Sequence, residues 1–282
     1  MKKSLLDTII RYVGAGTVIE ALRKACYFLS NIFEALFGVS DSLEPPRCMS
    51  VEGRRNYSKI GNEFLGYFVE LGGLKKTDRI LDVGSGIGRM SLPIARYLSK
   101  EGSYEGIDII NYGVRWCQKK ITPRYPNVWF QRVDVYNKTY HRKGKQKASE
   151  YKFPYGDDSF DFVLLTSVFT HMLPVDLENY LSEISRVLKK DGKCLITYFL
   201  LNDESLDYIE KKQSRLAFNY WYEECRIEDK EVPEVAIAYE ESRIRKLYEQ
   251  NTLKIVDSIH YGAWCGREKF LSFQDIIVAQ KL

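Results

Sequence analysis

Three glycines at alternate positions, Gly84, Gly86 and Gly88, follow the apolar run Ile80-Leu81-Asp82-Val83 and precede Met90, Ile94, Ala95 and Leu98 at helical spacing. The run reads as a buried strand and Arg89 to Ser99 as a helix. Glycines between them let the chain turn sharply and let a ligand approach with no Cβ in its way. The N–H groups that open the helix suit a charged or polar ligand. The spacing is G-x-G-x-G rather than the G-x-G-x-x-G of dinucleotide folds, so the turn alone does not name that ligand. Acids at two further strand ends narrow the chemistry. Tyr104 to Ile110 reads as a second strand with Asp108 near its C-terminal end, where a carboxylate accepts hydrogen bonds from ribose hydroxyls. Asn127 to Val135 repeats the pattern and places Asp134 where it would accept from an exocyclic amine.

These residues need a frame. Phe160 to Ser167, after the turn Tyr155-Gly156-Asp157-Asp158, reads as a fourth strand, and Lys193 to Tyr198, after Asp191-Gly192, as a fifth. Glu52 to Leu71 reads as a helix leading into the first strand, and Tyr239 to Gln250 as the last helix. Leu253 to Ile259 and Ser272 to Gln280 alternate as two closing strands.

Taken in order, DVGSGIGR, the acid after the second strand, the Asp134-Val135 pair and the run RVLKKDGKCLITYF resemble class I S-adenosylmethionine-dependent methyltransferases, over Arg79 to Phe199 with a matching tail from Glu240 to Lys281. The resemblance implies an α/β, Rossmann-like fold. Its sheet would have seven strands, mostly parallel with one antiparallel, and helices on both faces. Residues 1–45 would be an N-terminal helical extension, 46–282 the methyltransferase domain and 202–236 a cap inserted into it. The implied cofactor is S-adenosyl-L-methionine, held by Asp82, Gly84, Ser85, Gly86 and Gly88, by Asp108 and Ile109 at the ribose, by Asp134 and Val135 at the adenine, and by Thr166. The aromatic residues Phe218, Tyr220, Trp221 and Tyr222 of the cap either line the active site or form the cap's own core. The connection His260 to Arg267 reaches the site only if it folds back toward the strand ends.

Methyl transfer from a sulfonium is an in-line displacement for which the cofactor brings the activated group and the protein supplies orientation. An alcohol acceptor also needs its proton removed. His171, in Thr166-Ser167-Val168-Phe169-Thr170-His171-Met172, follows the fourth strand and is the first candidate base, with His260 second and His141 third. The same stretch, with Arg115-Trp116-Cys117 and Gln274-Asp275-Ile276, is similar to a bacterial subgroup that tailors glycans, lipids or secondary metabolites. That implies O-methylation of a small molecule, sugar or lipid-linked acceptor. The alternative is a non-catalytic cofactor-binding scaffold, against which the joint presence of the glycine turn and three acids argues.

A net charge of +4 without an arginine-rich stripe argues against a nucleic-acid partner. The basic run Lys138 to Lys147 reads as a solvated loop, with an anionic substrate or membrane surface as the alternative. Six cysteines without a C-x-x-C pair suggest a reducing, cytoplasmic setting and no metal site. Asp7 and Arg11 interrupt the apolar start as a signal peptide would not allow. From Thr17 to Phe37, Glu20, Arg23, Lys24, Tyr27, Asn31 and Glu34 form one narrow polar stripe on an otherwise apolar helix. So wide an apolar face needs cover, from the protein's own body, a second copy, or a membrane surface at which the protein would be peripheral.

Overall fold

Alternation decides the architecture. Along β1 (Arg79–Val83), Ile80 faces one core and Leu81 and Val83 the other. Along β4 (Phe160–Leu165), Phe162 and Leu164 face the first and Val163 and Leu165 the second. A sheet buried on both faces needs helices on both. In the computed structural model, which describes residues 57–282 throughout and a scatter of positions between 21 and 49, α1 (Tyr57–Glu70), α2 (Ser91–Tyr97) and α3 (Asn111–Lys120) cover one face. The other is covered by α4 (Pro174–Val187) and a later helix, Glu241–Gln250.

With β2 (Ser103–Asp108), β3 (Val128–Arg132) and β5 (Leu188–Tyr198), the sheet has seven strands. Its remaining strands are the last two of the chain, Leu253–Ile255 and Asp275–Lys281. β4, β1, β2 and β3 lie side by side in parallel, and β5 extends the parallel set beyond β4. Asp275–Lys281 runs antiparallel to both β5 and Leu253–Ile255, and so is the single reversed strand. This is the expected Rossmann-like arrangement. The parallel strands put the ends of β1, β2, β3 and β4 on one edge, where ligands bind in such folds.

Two features depart from a repeating strand-helix unit. The β3–β4 connection contains no α-helix. Residues 133–159 form turns and a single 310 turn, Ala148–Glu150, and their Tyr151 and Phe153 fill the core against Tyr180 of α4. The segment after β5 builds a second sheet. It contains β6 (Leu200–Leu201), α5 (Asp203–Glu210), β7 (Tyr220–Tyr222), β8 (Cys225–Ile227) and β9 (Ile237–Glu240), in the order β6-β9-β8-β7. The helix Glu241–Gln250 is therefore α6, and the closing strands are β10 and β11. β9 occupies residues expected to start that helix. Asn202 caps α5, accepting from Ser205 N at 3.0 Å while Ser205 Oγ accepts from Asn202 N.

The expected helix at 17–37 lies partly outside the described residues. Those described include helical Ala21-Leu22, Ala25–Leu29, Ile32-Phe33 and Leu36. Cys26 and Tyr27 pack on the α1–α3 core, while Leu22, Phe28, Leu29, Ile32, Phe33 and Leu36 are 41–71% exposed. Cys26 is engaged in a disulfide, whereas Cys117, Cys194, Cys225 and Cys265 are buried free thiols. No helix among the described residues is long and apolar enough to cross a membrane.

Candidate active site

The glycine turn leaves β1 with Gly84 at φ +93° and Gly86 at φ +56°, in the left-handed region where a side chain is strained. A Cβ at Gly84 would collide with Val168, whereas beside Gly86 nothing lies within 4 Å. Asp108, buried at the end of β2, ties this turn down. One carboxylate oxygen accepts from Gly86 N at 2.7 Å, the other from Ile110 N at 2.6 Å. Beneath the turn lies Asp82, 1% exposed, whose carboxylate accepts from the Tyr104 hydroxyl. Burial pushes the Asp82 carboxyl up to about 7 against the opposing effect of that hydrogen bond.

A cavity of about 230 Å³ opens at this edge. Gly84, Ser85, Gly86, Asp108, Ile109, Val135, Thr166 and His171 all line it. Three expected cofactor contacts do not. Asp82 is enclosed behind the turn, and Gly88 faces inward, where a Cβ would meet Ile121 and Cys117. Asp134 points away because side chains alternate along an extended chain, so Val133 and Val135 take the cavity side. Its carboxylate, 44% exposed, accepts from His141 Nε2 at 2.7 Å and lies 3.9 Å from Arg132, and the His141 bond chiefly holds its pKa low.

Of the three histidines, His171 alone lines the cavity. It closes a 310 turn, Phe169–His171, reached from β4 through Ser167 at φ +59°. Ser167 N donates to Thr197 Oγ1 at 2.8 Å, and its hydroxyl donates to Gln274 at 3.0 Å, so β5 and the residue preceding β11 hold this unusual backbone. His171 Nδ1 lies 2.9 Å from the backbone oxygen of Glu234. A carbonyl only accepts, so Nδ1 carries a proton, and in the neutral ring Nε2 is the basic nitrogen. The Tyr140 ring meets the imidazole edge-on, 6.1 Å between centroids. His260 sits beside Asp257, outside the cavity.

The expected cap, residues 202–236, touches the site through the Glu234 backbone rather than through its aromatic residues. Phe218 is buried with Phe199 and Trp264 in the cap's own core. Trp221 is exposed and stacks on Arg226, and Tyr220 meets Lys230. Tyr222 packs at the edge of the main core. The His260–Arg267 connection turns inward to Asp275, which accepts from Trp264 Nε1 at 2.8 Å, Gly262 N at 2.6 Å and Leu200 N at 2.7 Å. It braces the cap and does not reach the cavity. Sequence reasoning missed the tyrosines 57, 112, 136, 140 and 180, which come to the cavity from α1, α3, the β3–β4 connection and α4. Tyr136, Asn137 and Tyr140 flank or fall within the basic run read as solvated loop, and no spacing signal singled them out.

Residues 81–196 match a family described as a methyltransferase domain. A ubiquinone/menaquinone biosynthesis C-methyltransferase of Teredinibacter turnerae is 24% identical over 155 residues, 54% of this chain and 55% of that protein. The chain thus spans about half the length of the curated relatives it matches. Among solved structures, a Methanosarcina mazei protein described as a SAM-dependent methyltransferase is 24% identical with a TM-score of 0.52, over 76% of this chain and 97% of the other. A 1,6-didemethyltoxoflavin-N1-methyltransferase of Burkholderia thailandensis, solved with its substrate and S-adenosylhomocysteine, is 16% identical with a TM-score of 0.53, over 92% and 90%. At these identities the structural likeness establishes the fold.

Proposed function

We propose that this chain, whose residues 81–196 match a methyltransferase-domain family, is a class I S-adenosylmethionine-dependent methyltransferase that transfers the cofactor's methyl group to a small-molecule acceptor, with a hydroxyl oxygen as nucleophile and His171 as the base. The observation that carries this reading is the meeting of the glycine turn, Asp108 and His171 on one cavity at the C-terminal ends of parallel strands. The residues fit the cofactor. The buried Ser85 hydroxyl has no hydrogen-bond partner among the described residues, and the space beside Gly86 is open. Gly84, Ser85 and Gly86 would hold the methionine part, Asp108 and Ile109 the ribose and Val135 the adenine, with Thr166 closing the wall. The cofactor supplies an electrophilic methyl group; the protein orients the acceptor and takes its proton. With Nδ1–H donated to Glu234, the proton would go to Nε2 of His171. The relatives named above methylate carbon and nitrogen, so the choice of oxygen rests on His171 alone.

The tyrosine-rich wall favours an acceptor with a ring or apolar surface, whether a free small molecule, a sugar or a lipid-linked compound. The exposed apolar residues between Leu22 and Leu36 add a contact surface for a membrane or a second copy. Deleting residues 1–40 separates these two. Loss of liposome co-sedimentation marks the membrane, and a change of mass in solution marks the second copy. The central test incubates the protein with labelled S-adenosylmethionine and fractionated cell extract, followed by mass spectrometry of labelled products. A labelled small molecule that disappears with His171→Ala supports the reading. Tight S-adenosylhomocysteine binding with no labelled product would turn it toward a non-catalytic cofactor-binding protein.

A further inference from the structure

Three segments far apart in sequence meet around the His171 ring. Glu234, on the 310 turn Pro233–Val235 of the cap, accepts from Nδ1. Tyr140 of the β3–β4 connection packs on the ring edge-on. The two flanking segments are joined to each other by Lys138, whose Nζ donates to the Glu231 backbone oxygen at 2.8 Å. Both ends of this link are shaped locally. Asn137 Oδ1 accepts from Thr139 N and Tyr140 N, each at 2.9 Å, which turns the chain between Lys138 and Tyr140. Asp229 Oδ1 accepts from Glu231 N at 2.7 Å and Val232 N at 3.2 Å, which turns the cap toward Glu234.

A ring tautomer is set by the bond the other nitrogen makes. In water neutral imidazole side chains favour the proton on Nε2, the form that cannot take a proton there. We infer that Lys138 is a positioning residue: by clasping the cap at Glu231 it holds the Glu234 carbonyl against Nδ1, and so keeps His171 in the tautomer whose Nε2 is basic. Lys138 touches neither the cavity nor His171, and acts through the cap. The consequence for turnover rests on His171 being the base, but the tautomer itself does not.

The test is ¹⁵N NMR of histidine-labelled full-length protein at about pH 8, where an ordinary imidazole is neutral, with the His171 signals assigned by their loss in His171→Ala. The wild type should show the Nδ1–H pattern. Lys138→Met should shift His171 toward the Nε2–H pattern, leave the His260 signals in place as a check on folding, and lower kcat with KM for S-adenosylmethionine unchanged. Lys138→Arg, which keeps a donor, should restore the wild-type pattern. An Nδ1–H pattern in Lys138→Met identical to the wild type overturns the inference. A tautomer shift without any change in turnover upholds it and removes His171 from the role of base.

Discussion

On the β1 side the cavity wall is nearly one run of chain: Val83 to Ile87, then Arg89 and Met90. On the cap side it is assembled from Asn137 and Tyr140 and from Val168, His171 and Met172, with His171 itself held by the Glu234 carbonyl. The first wall is fixed by short-range geometry, a positive-φ turn tied to the neighbouring strand through Asp108. The second depends on three connections closing on one another. A wall of the first kind suits a ligand common to a whole fold; a wall of the second kind can be rebuilt by altering loops without disturbing the sheet.

The largest expected effect falls on the assembled wall. His171→Ala should lower kcat about 10²–10⁴-fold and leave S-adenosylhomocysteine affinity by calorimetry nearly intact. Near-normal kcat would make His171 structural and leave the two walls without a division of labour.

Asp108→Ala tests the contiguous wall. It removes the acceptors for Gly86 N and Ile110 N together with the acceptor proposed for the ribose, so cofactor affinity should drop by about 1–3 kcal/mol in a protein that still folds. Unchanged calorimetric affinity would detach Asp108 from the cofactor.

Asp82 sharpens the comparison through stability. Its folded pKa, about 7, lies above the ordinary 3.8, so the folded state binds the extra proton. The protonated buried carboxyl is the cheaper form, and stability is lost as pH rises from about 4 through 7. Asp82→Asn should flatten this fall, by roughly 1 kcal/mol between pH 6 and 8, measured as the difference in Tm trend from the wild type. Parallel trends in the two proteins would show that Asp82 is not a buried, titrating support of the turn.

The smallest effect is expected at Asp134, which stands at the end of β3 much as Asp108 stands at the end of β2. Asp134→Ala should change cofactor affinity less than about 2-fold, because its carboxylate faces His141 and solvent. A loss matching that of Asp108→Ala would mean that the β3 end turns toward the cofactor when it binds.

The sequence by itself determined the sheet and the contiguous wall. Alternating apolar strands, three glycines at alternate positions and Asp108 act through neighbours a few residues or one strand away, so their pattern is written locally. It also marked His171 by its place after β4. Tertiary structure decided which way each candidate faced. Asp134 and Gly88 carry the right residue types, yet alternation and packing against α3 turn them from the cavity. Asp82 is shut beneath the turn by Tyr104. The tyrosines at 57, 112, 136, 140 and 180 reach the cavity from four separate elements with no common spacing. The cap's aromatic residues went to its own core and surface, since burying Phe218 against Phe199 and Trp264 stabilises an insertion that must hold itself together. Which nitrogen of His171 carries the proton depended on Glu234, a carbonyl 63 residues away in the chain. A backbone oxygen has no side-chain signature, so only the closed cap reveals it.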